Sequence, residues 1–109
     1  MLLDMLLFKK KFIEMILAGT KRQTVRVWPR RRLRAGQVEF VPGLGRVDIT
    51  AFEPVRPADL TDDDARLDGF ASRGALLDEL RGLYGERLDE VPCFRIRFTY
   101  PARAAGPAA

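Results

Sequence analysis

Gly19-Thr20-Lys21-Arg22-Gln23-Thr24-Val25-Arg26 joins two periodicities, and the fold turns on how it is read. Upstream, Phe8, Phe12, Met15 and Ile16 recur at helical spacing, with Lys9, Lys10, Lys11 and Glu14 between them. That pattern predicts a short amphipathic helix over residues 8–18. Gly19 then stands where a left-handed C-cap residue sits. Downstream, residues 23–28 (QTVRVW) alternate polar groups with β-branched or aromatic ones, which predicts a half-buried strand ended by Pro29. On a strand Thr24 and Arg26 share a face, and Lys21, at the turn before it, leans over that face. An ammonium, a hydroxyl and a guanidinium thus meet in one concavity, suited to an anionic or carbonyl-bearing ligand. Surface residues along a strand edge are the plainer reading of the same spacing.

Working outward, residues 1–7 are apolar apart from Asp4 and read as a first strand. They lack a basic lead-in and fall well short of the roughly 20 residues of a membrane span. Residues 37–41 (QVEFV) and 46–54 (RVDITAFEP) alternate, and the Pro42-Gly43-Leu44-Gly45 turn between them predicts a hairpin. Thr61, followed by Asp62, Asp63 and Asp64, is a helix N-cap with carboxylates in the first turn, and Gly69 ends that helix. Ser72 caps a second helix over residues 73–83 with a stripe of Leu76, Leu77, Leu80 and Leu83. Residues 93–100 (CFRIRFTY) alternate most clearly of all. Strands linked by hairpins argue for an antiparallel sheet or small barrel, not a doubly wound fold. The chain reads as one α+β domain over residues 1–100, with a flexible tail over 101–109.

Composition narrows the chemistry. The 109 residues contain no histidine and one cysteine. Ser-His-Asp or Cys-His catalysis, a histidine metal site and an intrachain disulfide are therefore excluded. No metal or other cofactor is expected, and a cytoplasmic location is the default for such cysteine usage. Cys93, at the start of a buried-looking strand, reads as a small core residue. The aspartates at 62–64 read as capping groups, since successive helical residues diverge by about 100°.

Net charge is +4, unevenly distributed: residues 1–46 carry eleven basic and three acidic side chains, residues 47–109 eight and twelve. Such asymmetry points to an electropositive face and to nucleic acid or a phosphorylated ligand. Arg30, Arg31, Arg32 and Arg34 follow Trp28 closely. Stacking for bases beside guanidinium for phosphates is what a single-stranded RNA surface needs. A core tryptophan beside a solvated arginine loop is the alternative.

In order along the chain, the Gly19-x-Lys21-x-x-Thr24-x-Arg26 segment is followed by Leu33-x-x-Gly36-x-x-x-Phe40, then Asp59-Leu60-Thr61. After these come Ala65-x-x-Asp68-Gly69-Phe70 and Phe94-Arg95-Ile96-Arg97-Phe98. Over about residues 3–100 this combination resembles the ASCH domain, a PUA-like family. The resemblance implies a small PUA-like antiparallel β-barrel flanked by short helices, with a cleft lined by Gly19, Lys21, Thr24 and Arg26. It also implies binding of RNA or a modified nucleoside or nucleotide. One bacterial branch of the family hydrolyses the acetyl amide of N4-acetylcytidine. Its catalytic lysine and threonine fall on Lys21 and Thr24, and its catalytic glutamate falls on Asp68, one methylene shorter. Two readings follow: a binding module using Lys21, Thr24, Arg26 and Asp68 in the cleft and the arginine loop outside it, or a small amidohydrolase or ribonuclease-like activity at the same cleft. A basic face meeting an acidic protein is a third, and the oligomeric state is left open.

Overall fold

The alternating run near the C-terminus forms strand β4 (Cys93–Thr99), and the sheet is built around it. The computed structural model describes residues 6–30 and 32–103. β4 lies between β1 (Gln23–Val27) and β3 (Gly45–Pro54), and β2 (Val38–Val41) closes the order β1-β4-β3-β2, antiparallel throughout. Helix α1 (Lys10–Ala18) precedes the sheet, and α2 (Asp62–Asp68) and α3 (Arg73–Tyr84) come between β3 and β4. The result is the expected α+β class, with the four strands curled into a half-barrel.

The period of two divides the core. Phe94, Ile96 and Phe98 point to one face, where they pack with Val47, Ile49, Phe52, Leu6, Trp28 and Ile16 of α1. Cys93, Val25 and Val27 point to the other, against Leu60, Ala65, Leu76, Leu80 and Leu88. Each of these large apolar side chains contributes roughly 1.5–3 kcal/mol by leaving water. The two layers therefore fix α1 on one side of β1 and α2 with α3 on the other. The cleft opens between them, at the β1 edge.

Several expectations are adjusted. The predicted strand over residues 1–7 falls mainly outside the described residues. Leu6 and Leu7 are not in a strand, and the Leu7 carbonyl accepts from the Arg26 guanidinium at 2.7 Å. The first helix starts at Lys10, not Phe8, because Lys9 is extended and its carbonyl takes the first helical N–H groups. Trp28 lies beyond β1, its N–H donating to Pro92 at 3.1 Å. Pro101, Ala102 and Arg103, which open the expected tail, run beside β3. Ala102 N–H donates to the Arg46 carbonyl and Arg103 N–H to the Asp48 carboxylate.

Candidate nucleobase-binding cleft

The turn out of α1 decides where Lys21 goes. Gly19 adopts φ 83°, a left-handed value that other residues reach at a cost of about 1–2 kcal/mol. The Thr20 and Lys21 N–H groups fold back onto the Met15 carbonyl at 2.9 and 3.2 Å. Lys21 is thereby directed inward and is only 2% exposed. Its Nζ donates to the Asp68 carboxylate and, at 2.5 Å, to the Asp68 carbonyl. The same ammonium sits 4.7 Å from the Phe12 ring centroid and 5.6 Å from that of Phe8, where the aromatic quadrupoles favour a cation.

Asp68 arrives from the far side of β1 as the last residue of α2. Gly69, at φ 94°, turns the chain immediately after it. A Cβ on Gly69 would stand 2.7 Å from Met15 Sδ, so α1 and the end of α2 can approach only across a glycine. The second carboxylate oxygen of Asp68 accepts from Val25 N–H at 3.2 Å, and Arg22 N–H donates to the Leu67 carbonyl at 2.8 Å. The C-terminus of α2 thus satisfies the backbone of edge strand β1. The methylene that separates aspartate from glutamate does not prevent contact with Lys21.

Thr24 and Arg26 do share a face. Arg26 Nε donates to Thr24 Oγ1 at 3.0 Å, and the guanidinium lies 4.8 Å from the Phe8 ring. Accepting from arginine leaves the threonine O–H proton to be directed at a ligand. Lys21, Thr24, Arg26 and Asp68 together border a cavity of about 130 Å³. Phe8, Phe12, Phe70, Leu80 and Tyr84 complete its walls, and Leu7, Leu83, Lys9 and Glu79 also line it. A cavity of ~150 Å³ holds one benzene ring, so the space matches a single six-membered ring.

Burial shapes the titration of the pair. Loss of water lowers the Lys21 pKa, with Arg26 adding to the effect and the Asp68 carboxylate opposing it. Loss of water raises the Asp68 pKa, and Lys21 opposes that rise. Both displacements move the pair toward its neutral forms, as desolvation requires. Burial also pushes the Cys93 thiol up to about 11, which keeps it protonated and unreactive.

A polar network behind the cleft is absent from any local sequence pattern. Asp64 forms the capping box with Thr61, accepts from Gln23 Nε2 at 3.0 Å and pairs with Arg95 at 2.9 Å. Gln23 Oε1 in turn accepts from Arg97 at 3.0 Å. Burial alone would raise the Asp64 pKa, but donors from Gln23, the Thr61 backbone and Arg95 hold it below the usual value.

The other expected site residues lie apart. Gly19 is exposed and shapes the turn; with Lys21 and Arg22 it borders a separate cavity of about 230 Å³. Trp28 is 8% exposed, its ring 6.1 Å from Phe52, so its expected role as a stacking platform is corrected to a core one. Arg30 and Arg34 are exposed and Arg32 is half-buried; Arg31 lies outside the described residues. None of the three described arginines borders the cavity of Lys21. The aromatic walls were missed because Phe8 and Phe12, four residues apart, carry the same signal as an ordinary buried helix stripe. Among the described residues there is no cluster of three or more His, Cys, Asp or Glu side chains placed to hold a metal ion. No helix among them is long and apolar enough to cross a membrane.

Fold and cleft together define a small α+β half-barrel with a ring-sized cavity at one sheet edge. The fold is that of the ASCH domain. The solved ASCH domain from Lactobacillus crispatus JV V101 is similar at TM-score 0.69 and 14% identity, over 82% of this chain and 69% of that one. Hypothetical protein PH0355 is similar at TM-score 0.73 and 18% identity, over 85% and 94%. Protein PF0455 from Pyrococcus furiosus is similar at TM-score 0.59 and 17% identity, over 85% and 92%. No family model and no curated protein matches the sequence.

Proposed function

We propose that the chain is a binding module that takes one nucleobase, from RNA or a modified nucleotide, into the cleft of Lys21, Thr24, Arg26 and Asp68. The observation that carries this reading is the match of cavity to ligand. About 130 Å³ bounded by phenylalanine rings, with donors on the β1 wall, suits one flat heterocycle bearing a carbonyl. Arg30 and Arg34, outside the cavity, would meet phosphates of a longer strand. The ASCH-type fold agrees with RNA as partner.

A second reading, amide hydrolysis of an N4-acetylcytidine-like nucleoside, draws on the Lys21–Asp68 contact and the lowered Lys21 pKa. In it, a neutral Lys21 takes a proton from water, the hydroxide adds to the acyl carbon, and the C–N bond breaks. The departing amine receives its proton from the Lys21–Asp68 pair, and Thr24 and Arg26 donate to the developing oxyanion.

Incubation with N4-acetylcytidine separates the two, using wild type, Lys21→Ala and Asp68→Glu. The binding reading predicts saturable binding without turnover in wild type. Turnover that Lys21→Ala abolishes and Asp68→Glu retains would replace it with the hydrolase.

A further inference from the structure

We propose that Glu79 on α3 selects the ligand of this cleft. Its carboxylate accepts a hydrogen bond from an N–H edge of the bound ring, favouring an amino-substituted heterocycle over its carbonyl counterpart. This rests on the nucleobase reading above and adds to it the residue that distinguishes one base from another.

The acceptors around the cavity are not equally free. Two acidic residues line it, Asp68 and Glu79. Asp68 is committed: one oxygen receives the Lys21 ammonium, the other the Val25 N–H, and its backbone carbonyl is also taken by Lys21. The Leu7 carbonyl and Thr24 Oγ1 are both occupied by Arg26. Glu79 differs. Its contact is with Lys9 Nζ at 3.7 Å, beyond hydrogen-bond distance, and the Lys9 side chain is 64% exposed against 28% for Glu79. Such a loose, solvated pair is easily exchanged for a ligand donor.

The polarity of the cleft is therefore directional. Its β1 wall offers donors, from Arg26 and Thr24, and its α3 wall offers the Glu79 acceptor beside the Tyr84 hydroxyl. A ring that fits both ends carries a carbonyl on one side and an N–H on another. A ring presenting a carbonyl to Glu79 would place two acceptors face to face and leave both without a donor.

Cytidine and uridine, the probes, differ at C4, amine against carbonyl, and at N3, a bare acceptor against an N–H; the amine at C4 is the group assigned to Glu79. Calorimetric titration of wild type is expected to give at least about tenfold tighter binding of cytidine, the discrimination a hydrogen bond to a charged acceptor supplies. Glu79→Gln, whose amide can turn either group toward the ring, is expected to bring the two within about threefold. Lys9→Ala removes the partner but keeps the acceptor, and so is expected to keep the preference. Equal binding by wild type, or a preference that survives Glu79→Gln, overturns the role of Glu79 and leaves the nucleobase reading standing. Loss of the preference in Lys9→Ala assigns it to the ion pair and likewise overturns it. Binding of neither nucleoside overturns both.

Discussion

Lys21 and Asp68 form a nearly dry ion pair whose ammonium lies near two phenylalanine rings, and its energetics are those of buried charge. Removing one partner strands the other, at about 3–5 kcal/mol. Lys21→Met is thus expected to lose about that much at neutral pH in urea unfolding, whereas Lys21→Met with Asp68→Leu is expected to recover most of the loss. Equal losses in the single and double variants would deny the pairing. The pH dependence follows from the directions of the shifts. The folded Lys21 pKa lies below the ordinary 10.5, so between the two the unfolded chain holds more protons. Stability therefore rises as pH climbs through the folded Lys21 value toward 10.5. Asp68 behaves oppositely: its raised pKa makes the folded chain hold more protons above 3.8, and stability falls as pH rises through that window. The alkaline rise is expected to vanish in Lys21→Met, read from unfolding midpoints across pH.

At the level of elements, the cleft exists because two helices end on glycines at the edge of β1. Gly19 turns Lys21 in from α1, and Gly69 lets α2 deliver Asp68 beside Met15. Gly69→Ala is expected to cost about 1–3 kcal/mol, from the left-handed backbone and the crowded sulfur together. A lowered thermal midpoint with weaker nucleoside binding would show it; an unchanged midpoint would contradict the packing described. Both glycines were legible in the sequence, because a glycine closing an amphipathic stripe has few other uses. The Thr61 cap and the alternation of β4 were legible for the same reason: each is a local pattern with a local cause. Trp28 was not, since an aromatic beside arginines reads alike whether it faces water or Phe52. Nor were the Gln23–Asp64 bond and the place of Glu79 at the cleft, because each depends on segments far apart in sequence that only the packing of α2 and α3 against β1 brings together.

Across the whole molecule, the uneven charge resolves into two separate features. Lys21 and Arg26 are inside the cleft, whereas Arg30 and Arg34 stand in water outside it. A short single-stranded RNA should therefore bind with a salt dependence that the exposed arginines set and the cleft does not. Replacing Arg30 and Arg34 by Gln is expected to reduce the slope of log K against log salt by about 0.7 for each phosphate no longer neutralised. An unchanged slope would remove that loop from the interface. The central claim, that the cavity at the β1 edge holds a nucleobase, is tested most directly by a cytidine titration followed in the amide NMR spectrum of the 15N-labelled protein. Saturable shifts are expected at Val25, Arg26, Asp68 and Phe70, abolished in Arg26→Ala, with Arg30 and Arg34 undisturbed. Shifts confined to the arginine loop, or none at the cavity, would contradict the claim.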